Sequence, residues 1–293
     1  MIASNNLFYD FSHMQSLIPN IEKKGVLDYI AFNISLNGIK TSFYINNLLA
    51  GDNTPLSFLR SFDTTSFLVN DNLVLFHSTK YSSDIKYSYE YKLRNISEHD
   101  PRFLIIQNWL DKDYEQKAME YFSLERRKDN YLSQGIWFIG FENKYTTYDC
   151  LKLYFRMFYE NHEGSMLFLD EEALKIISES GITIYKKLVL EAKDYVKLGV
   201  HVYMVSWNYD KQTGETKYKI YFIITENTVN IDTLLDKIFN FMMIEQSQRQ
   251  NVKKLIRQNR LFLREFSLGC DTNNMMSINI YCKPFVGGDN NDI

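Results

Sequence analysis

The chain has 293 residues, 45% hydrophobic and 15% aromatic, with 12 glycines, 4 prolines and a formal net charge of −3. That composition can fill a sizeable core, and it excludes a disordered chain, a linker-rich string of domains, and nucleic-acid or membrane binding driven by global charge. Three cysteines (Cys150, Cys270, Cys282) are too few and too odd for a disulfide framework, no apolar run approaches membrane-spanning length, and the first twenty residues lack a signal-peptide plan, so a cytoplasmic protein with no membrane partner is expected.

In chain order, a short helix is predicted around His13–Lys24, followed by a first hairpin, Leu27–Leu36 with Ile39–Ile45, turned by Asn37-Gly38. Residues 50–70 read as a loop with a brief helix. Asn72–Thr79 and Ile85–Tyr91 form a second hairpin, turning near Ser82-Ser83-Asp84. Asp100-Pro101 opens a helical segment that runs to about Arg127. The third hairpin is Gly135–Glu142 with Asp149–Met157. Asp170-Glu171-Glu172 then starts a helix, and another covers about Tyr185–Leu198. The fourth hairpin is Gly199–Tyr209 with Thr216–Ile224, turned by Gln212-Thr213-Gly214. A helical stripe on Leu234, Leu235, Ile238, Phe241 and Met242 is continued by Val252, Leu255 and Ile256. The fifth hairpin is Phe262–Gly269 with Met275–Lys283. Residues 1–285 thus read as one domain, and 286–293 as a frayed polar tail.

Three of these strands share a pattern. Successive strand side chains point to opposite faces, so Lys217, Lys219 and Tyr221 oppose Tyr218, Ile220 and Phe222. Lys152 and Tyr154 oppose Leu151, Leu153 and Phe155, and Asn279 and Tyr281 oppose Ile278, Ile280 and Cys282. The motifs lie 219 − 152 = 67 and 279 − 219 = 60 residues apart, which marks an internal repeat. Ten antiparallel strands leave two edges if the sheet is open, and closure removes them. With amphipathic helices covering the apolar faces, the Lys/Asn/Tyr faces point into a barrel wider than the roughly eight strands whose side chains fill the interior. Lysines gathered there imply an anion in the lumen.

Five helix-plus-hairpin units whose inner strands read Lys-x-Tyr or Asn-x-Tyr resemble the aromatic prenyltransferases of the αββα-barrel (ABBA) type, over about residues 27–283. The resemblance implies an α+β fold: a ten-stranded antiparallel β-barrel of five hairpin repeats, surrounded by an outer ring of α-helices. Length points to the subgroup that prenylates cyanobactin-type ribosomal peptides. The implied co-substrate is dimethylallyl or geranyl diphosphate, with Mg²⁺ riding on the diphosphate and no metal held by the protein. By resemblance Lys152, Lys217, Lys219 and Asn279 hold the diphosphate, with Lys86 as an equivalent on the second hairpin, and Tyr154, Tyr221 and Tyr281 shield the allyl cation. Lys40, Ser42 and Tyr44 are the first hairpin's equivalents. Asp28 on the first strand, or Glu90, is the expected base. Trp137, Phe138, Tyr203 and Trp207 are candidate walls for the prenyl chain and acceptor.

The residues suit that chemistry in their own right. Ionising an allylic diphosphate needs positive charge and hydrogen-bond donors at the departing oxygens. The resulting cation is stabilised by ring faces, roughly 0.5–2 kcal/mol each, and must be kept from water. Only 293 − 283 = 10 residues follow the last predicted strand, so an unplugged barrel mouth that admits a macrocyclic peptide is expected, in a monomer. The competing readings are an aromatic small-molecule prenyltransferase, a non-catalytic isoprenoid- or ligand-binding barrel, and a single-stranded RNA binder, the last disfavoured by net charge.

Overall fold

The computed structural model describes residues 26–35, 38–47, 77–82, 88–96, 136–143, 148–157, 160–178, 183–210, 213–224, 229–271 and 275–284. The helices expected at 13–24, 50–70 and 100–127, Lys86 and the tail at 286–293 lie outside these residues.

The five hairpins are β1 (Val26–Ser35) with β2 (Gly38–Asn47), β3 (His77–Ser82) with β4 (Ser88–Ile96), β5 (Ile136–Asn143) with β6 (Tyr148–Arg156), β7 (His201–Asp210) with β8 (Thr216–Ile223), and β9 (Leu261–Asp271) with β10 (Met276–Pro284). Each strand pairs antiparallel with its neighbours, and because β1 pairs with both β2 and β10 the ladder β1-β10-β9-β8-β7-β6-β5-β4-β3-β2 is a closed barrel. Gly38 (φ 109°) supplies the left-handed backbone at the first turn, as its Asn-Gly signal requires. At the fourth turn Asp210 Oδ1 accepts from Thr213 N at 3.1 Å, and Gly214 takes φ 66°. The second hairpin sits later than the sequence suggests. Ser82, within the expected turn, pairs with Ser42 of β2 and ends β3 instead.

Four helices are described: α1 (His162–Ser178), α2 (Thr183–Val196), α3 (Ile231–Phe241) and α4 (Gln246–Gln258). Two sequence expectations need correction here. The helix expected to start at Asp170 starts at His162, because Asn161 Oδ1 accepts from Gly164 N at 2.7 Å and caps it. Asp170 lies mid-helix, exposed, and ion-pairs with Lys193 of α2. The stripe from Leu234 to Ile256 is two helices rather than one. The chain breaks at Met243 (φ 53°), and Arg249 Nε donates to Ile244 O at 2.6 Å across the break.

The main core lies between the helices and the outward strand faces. Leu188, Tyr195, Leu235, Ile238 and Leu255 pack there with Phe32, Phe155, Ile220, Phe222, Phe266 and Ile280. Phe222 and Phe266 stack at 4.7 Å, and the Tyr195 ring meets Phe266 edge-on at 5.0 Å. No helix among the described residues is long and apolar enough to cross a membrane.

Candidate active site

A second cluster lies on the other side of the same strands. Tyr154, Tyr203, Tyr221 and Tyr281 are buried together with Ala31 and Met204, and Tyr29, Tyr44 and Ile223 pack against them. Their rings form a continuous band. Tyr221 lies 6.0 Å from Tyr154, 6.4 Å from Tyr203 and 6.4 Å from Tyr281, and Tyr281 meets Tyr44 at 5.7 Å and Tyr29 at 6.1 Å. Alternation along β6, β8 and β10 therefore places the three motif tyrosines inside the barrel.

The same alternation carries the cations. Across β7, β8 and β9, Lys219 stands opposite Ser206 on one side and Gly269 on the other, while Lys217 stands opposite Asn208 and Asp271. A Cβ at Gly269 would meet Lys219 Cγ at 3.0 Å, Ser277 Oγ at 3.0 Å and Lys217 Cε at 3.1 Å. Both lysine chains thus converge over a glycine on the neighbouring strand, a position that has room only for hydrogen. Lys152 on β6 pairs in register with Asn208 and is only 6% exposed.

Asn279 joins this group. With its carboxamide oxygen turned toward Lys219, the orientation that satisfies its neighbours, it accepts from Lys219 Nζ at 3.0 Å and from Tyr281 OH at 3.1 Å. Its nitrogen then donates to Asn33 Oδ1 at 3.1 Å, and Asn33 in turn donates to Ser42 Oγ at 2.7 Å. Ser206 Oγ lies 3.3 Å from Tyr221 OH. Ser267, between Tyr221 and Asn279 in register, has a buried hydroxyl with no hydrogen-bond partner among the described residues. Lysines and hydroxyls at one level and rings at the next form a graded lining, from charge to aromatic surface.

At the far end of the tyrosine band the strands are irregular. On β7 the register slips between Val202 and Met204, so Tyr203 is an extra residue, and both Tyr203 and Met204 turn into the tyrosine cluster. On β9 a second slip opposite Tyr281 and Cys282 precedes Glu265. Tyr203 OH donates to Glu265 Oε2 across the intervening β8. Burial, and then the Glu265 charge, hold the Tyr203 phenol well above its usual range, so it stays protonated and a donor. The cysteine thiols are free and buried; burial pushes Cys282 up to about 12 and Cys270 up to about 11, which keeps both thiols protonated.

The other expected site residues fall in different places. Trp207 does not line the lumen. Ser206 and Asn208 take the inward positions, so Trp207 turns outward into the helix-covered core and stacks on Tyr209 at 5.7 Å. Lys40 is exposed rather than gathered with the other lysines, whereas Ser42 and Tyr44 do reach the inner network. Asp28 occupies a register slip in β1, between Leu27 and Tyr29. Its side chain, and those of Glu90, Trp137 and Phe138, lie outside the description, although Phe138 stands opposite Tyr154 in register. Among the described residues no group of three or more His, Cys, Asp or Glu could hold a metal ion. Ammonium groups do not ligate Mg²⁺, so the described lining fits a diphosphate and is not itself a Mg²⁺ site.

Asn33, Ser267, Gly269 and Glu265 were not singled out from the sequence. Glu265 had one visible signal: a carboxylate in the middle of the apolar run Leu261–Cys270. The other three are ordinary strand residues whose importance comes from register.

No protein-family model matches the sequence, and no curated protein matches it. Solved structures do share its fold. AnaPT from Neosartorya fischeri superposes with a TM-score of 0.62 at 10% identity, over 88% of this chain and 78% of that one. The NotF prenyltransferase gives 0.55 at 10% identity, over 88% and 80% of the two chains. The 6-dimethylallyltryptophan synthase from Micromonospora olivasterospora, in complex with DMASPP and Trp, gives 0.51 at 12% identity, over 87% and 81%. At these identities the likeness is one of fold.

Proposed function

We propose that the protein transfers a prenyl group from an allylic diphosphate to a nucleophilic acceptor inside the barrel. The observation that carries this reading is the graded lining, with Lys152, Lys217, Lys219 and Asn279 at one level and Tyr154, Tyr221 and Tyr281 at the next. As the allylic carbon–oxygen bond breaks, its electron pair leaves with the diphosphate. The ammonium groups and hydroxyls stabilise that charge where it develops. The tyrosine faces hold the allyl cation and keep water from it. The acceptor's electron pair then forms the new bond, and its proton passes to a carboxylate. Asp28, at the β1 register slip, is the candidate we favour over Glu90. Mg²⁺ would enter as a partner of the diphosphate, neutralising its charge. The fold shared with the NotF prenyltransferase, and with a synthase solved with DMASPP and Trp, supports prenyl transfer in general terms.

For the acceptor we favour an aromatic side chain of a ribosomal, macrocyclic peptide. The second reading is a free aromatic molecule, favoured by the dimethylallyltryptophan synthase solved with DMASPP and Trp among the fold neighbours. Incubation with dimethylallyl diphosphate and either free tryptophan or cyclic peptides containing tryptophan and tyrosine, followed by mass spectrometry, separates the two. A gain of about 68 Da on peptide, from a C5H9 group replacing one hydrogen of the acceptor, supports the first. Gain on tryptophan alone supports the second, and diphosphate release without any prenylated product leaves neither.

A further inference from the structure

The hydrogen bond from Tyr203 to Glu265 joins two strands that are not neighbours, β7 and β9. It crosses the inner face of β8 between Tyr221 and Ile223, because Met204 pairs with Tyr221 while Ile223 pairs with Glu265. Both ends of this strap come from register slips beside them, one between Val202 and Met204 on β7 and one between Leu263 and Glu265 on β9. Bulges re-aim side chains at the cost of regular pairing, and two of them here bring a phenol and a carboxylate together inside the barrel.

Along β8 the inner face reads Lys217, Lys219, Tyr221 and then the strap. From Lys219 to Ile223 is about 13 Å of strand. The diphosphate belongs at the lysines and the allyl group at Tyr221. A second isoprene unit adds four carbon–carbon bonds, roughly 5 Å in extension, and would lie against a carboxylate. A carboxylate offers a hydrocarbon chain no favourable contact, and pressing one against it costs desolvation. The obstacle is one of polarity as well as of volume.

Resting on the prenyl-transfer reading above, we propose that the Tyr203–Glu265 strap ends the hydrocarbon part of the site and restricts the donor to a single isoprene unit, that of dimethylallyl diphosphate. The test is equilibrium titration of the full chain with the non-ionising thio analogues of dimethylallyl and geranyl diphosphate, with inorganic diphosphate alongside. The wild-type protein is expected to bind the dimethylallyl analogue at least tenfold more tightly than the geranyl one. In Tyr203→Leu/Glu265→Leu, which replaces both ends of the strap by hydrocarbon so that no carboxylate is left without its donor, that ratio should fall at least tenfold. Equal or tighter binding of the geranyl analogue by the wild type overturns the proposal, and so does a double variant with an unchanged ratio. If the double variant does not fold, the wild-type ratio decides alone. Binding of inorganic diphosphate with neither analogue bound overturns the strap's role while leaving an anion site. Failure of all three ligands to bind removes the prenyl-transfer reading itself, and the strap with it.

Discussion

Tyr218 and Tyr221 lie three residues apart on β8 and face opposite environments. Tyr218 is 1% exposed and packs in the helix-covered core with Ile220 and Phe222; Tyr221 is 4% exposed and packs among tyrosines with Lys219 one step away. Residue type and burial are the same for both, so neither distinguishes a structural tyrosine from a functional one. Strand parity does. The outer face of each strand is committed to stability, and the inner face is relieved of that task by the helices outside. It can therefore carry lysines, amides and phenols that a conventional core would exclude.

The largest effect expected from breaking this division is on the outer face. Phe222 is fully buried, stacked on Phe266 and in ring contact with Tyr195 at 6.0 Å. Phe222→Ala should cost about 3–5 kcal/mol of stability, the range for deleting a buried aromatic ring. Chemical denaturation would show it as a lower midpoint with an unchanged slope. The fraction that remains folded should bind inorganic diphosphate with wild-type affinity. Loss of that affinity in the folded fraction would mean that the two faces are not separable.

The inner face should give the reverse result. Lys219 donates to the Asn279 carboxamide and lies over Gly269. Lys219→Ala should reduce prenyl transfer at limiting donor by about 100-fold, the scale for losing one preorganised donor at a developing negative charge. Its thermal midpoint should stay at or above the wild-type value, because removing one of several gathered ammonium groups relieves repulsion. Full turnover by this variant would remove the lysine group from the mechanism. A large stability loss with normal turnover would make Lys219 part of the scaffold.

The same division explains what could be read from the sequence. Five hairpins alternating with helical segments, and the inward Lys-x-Tyr and Asn-x-Tyr faces, follow from period-2 alternation and turn residues, so β6, β8 and β10 and their motifs were legible. The side that Trp207 faces is not legible, because β7 is buried on both faces, from Val202 to Asp210, and a strand with two buried faces has no polar alternation to reveal its parity. Tyr203 and Glu265 depend on register slips, which insert one residue and reverse parity without a local signature. Asp170 misleads because an acidic triplet looks like a first turn, whereas Asn161, nine residues earlier (170 − 161 = 9), supplies the cap. Ser267 and Gly269 matter through what stands opposite them on β8 and β10, and pairing across strands is a long-range property.

The smallest expected effect lies at the rim, where the two faces meet. His201 is the first residue of β7; among the described residues its buried Nδ1 has no hydrogen-bond partner, and His162 of α1 is a nearby titratable group. Burial first, and the His162 charge second, lower the His201 pKa below its ordinary 6.5. The unfolded chain therefore takes up a proton at a higher pH than the folded protein does. As pH falls through 6.5 the unfolded state gains protons first, and stability declines until the folded histidine also protonates. The thermal midpoint should thus fall modestly between pH 7.5 and 5.5, and His201→Gln, which cannot titrate, should flatten that slope. The slope should stay as it is in Lys219→Ala, since an ammonium group remains charged across this range. A wild-type midpoint that rises as pH falls would reverse the sign and show that protonated His201 gains a partner on folding, which would place it with the inner polar network instead of the outer core.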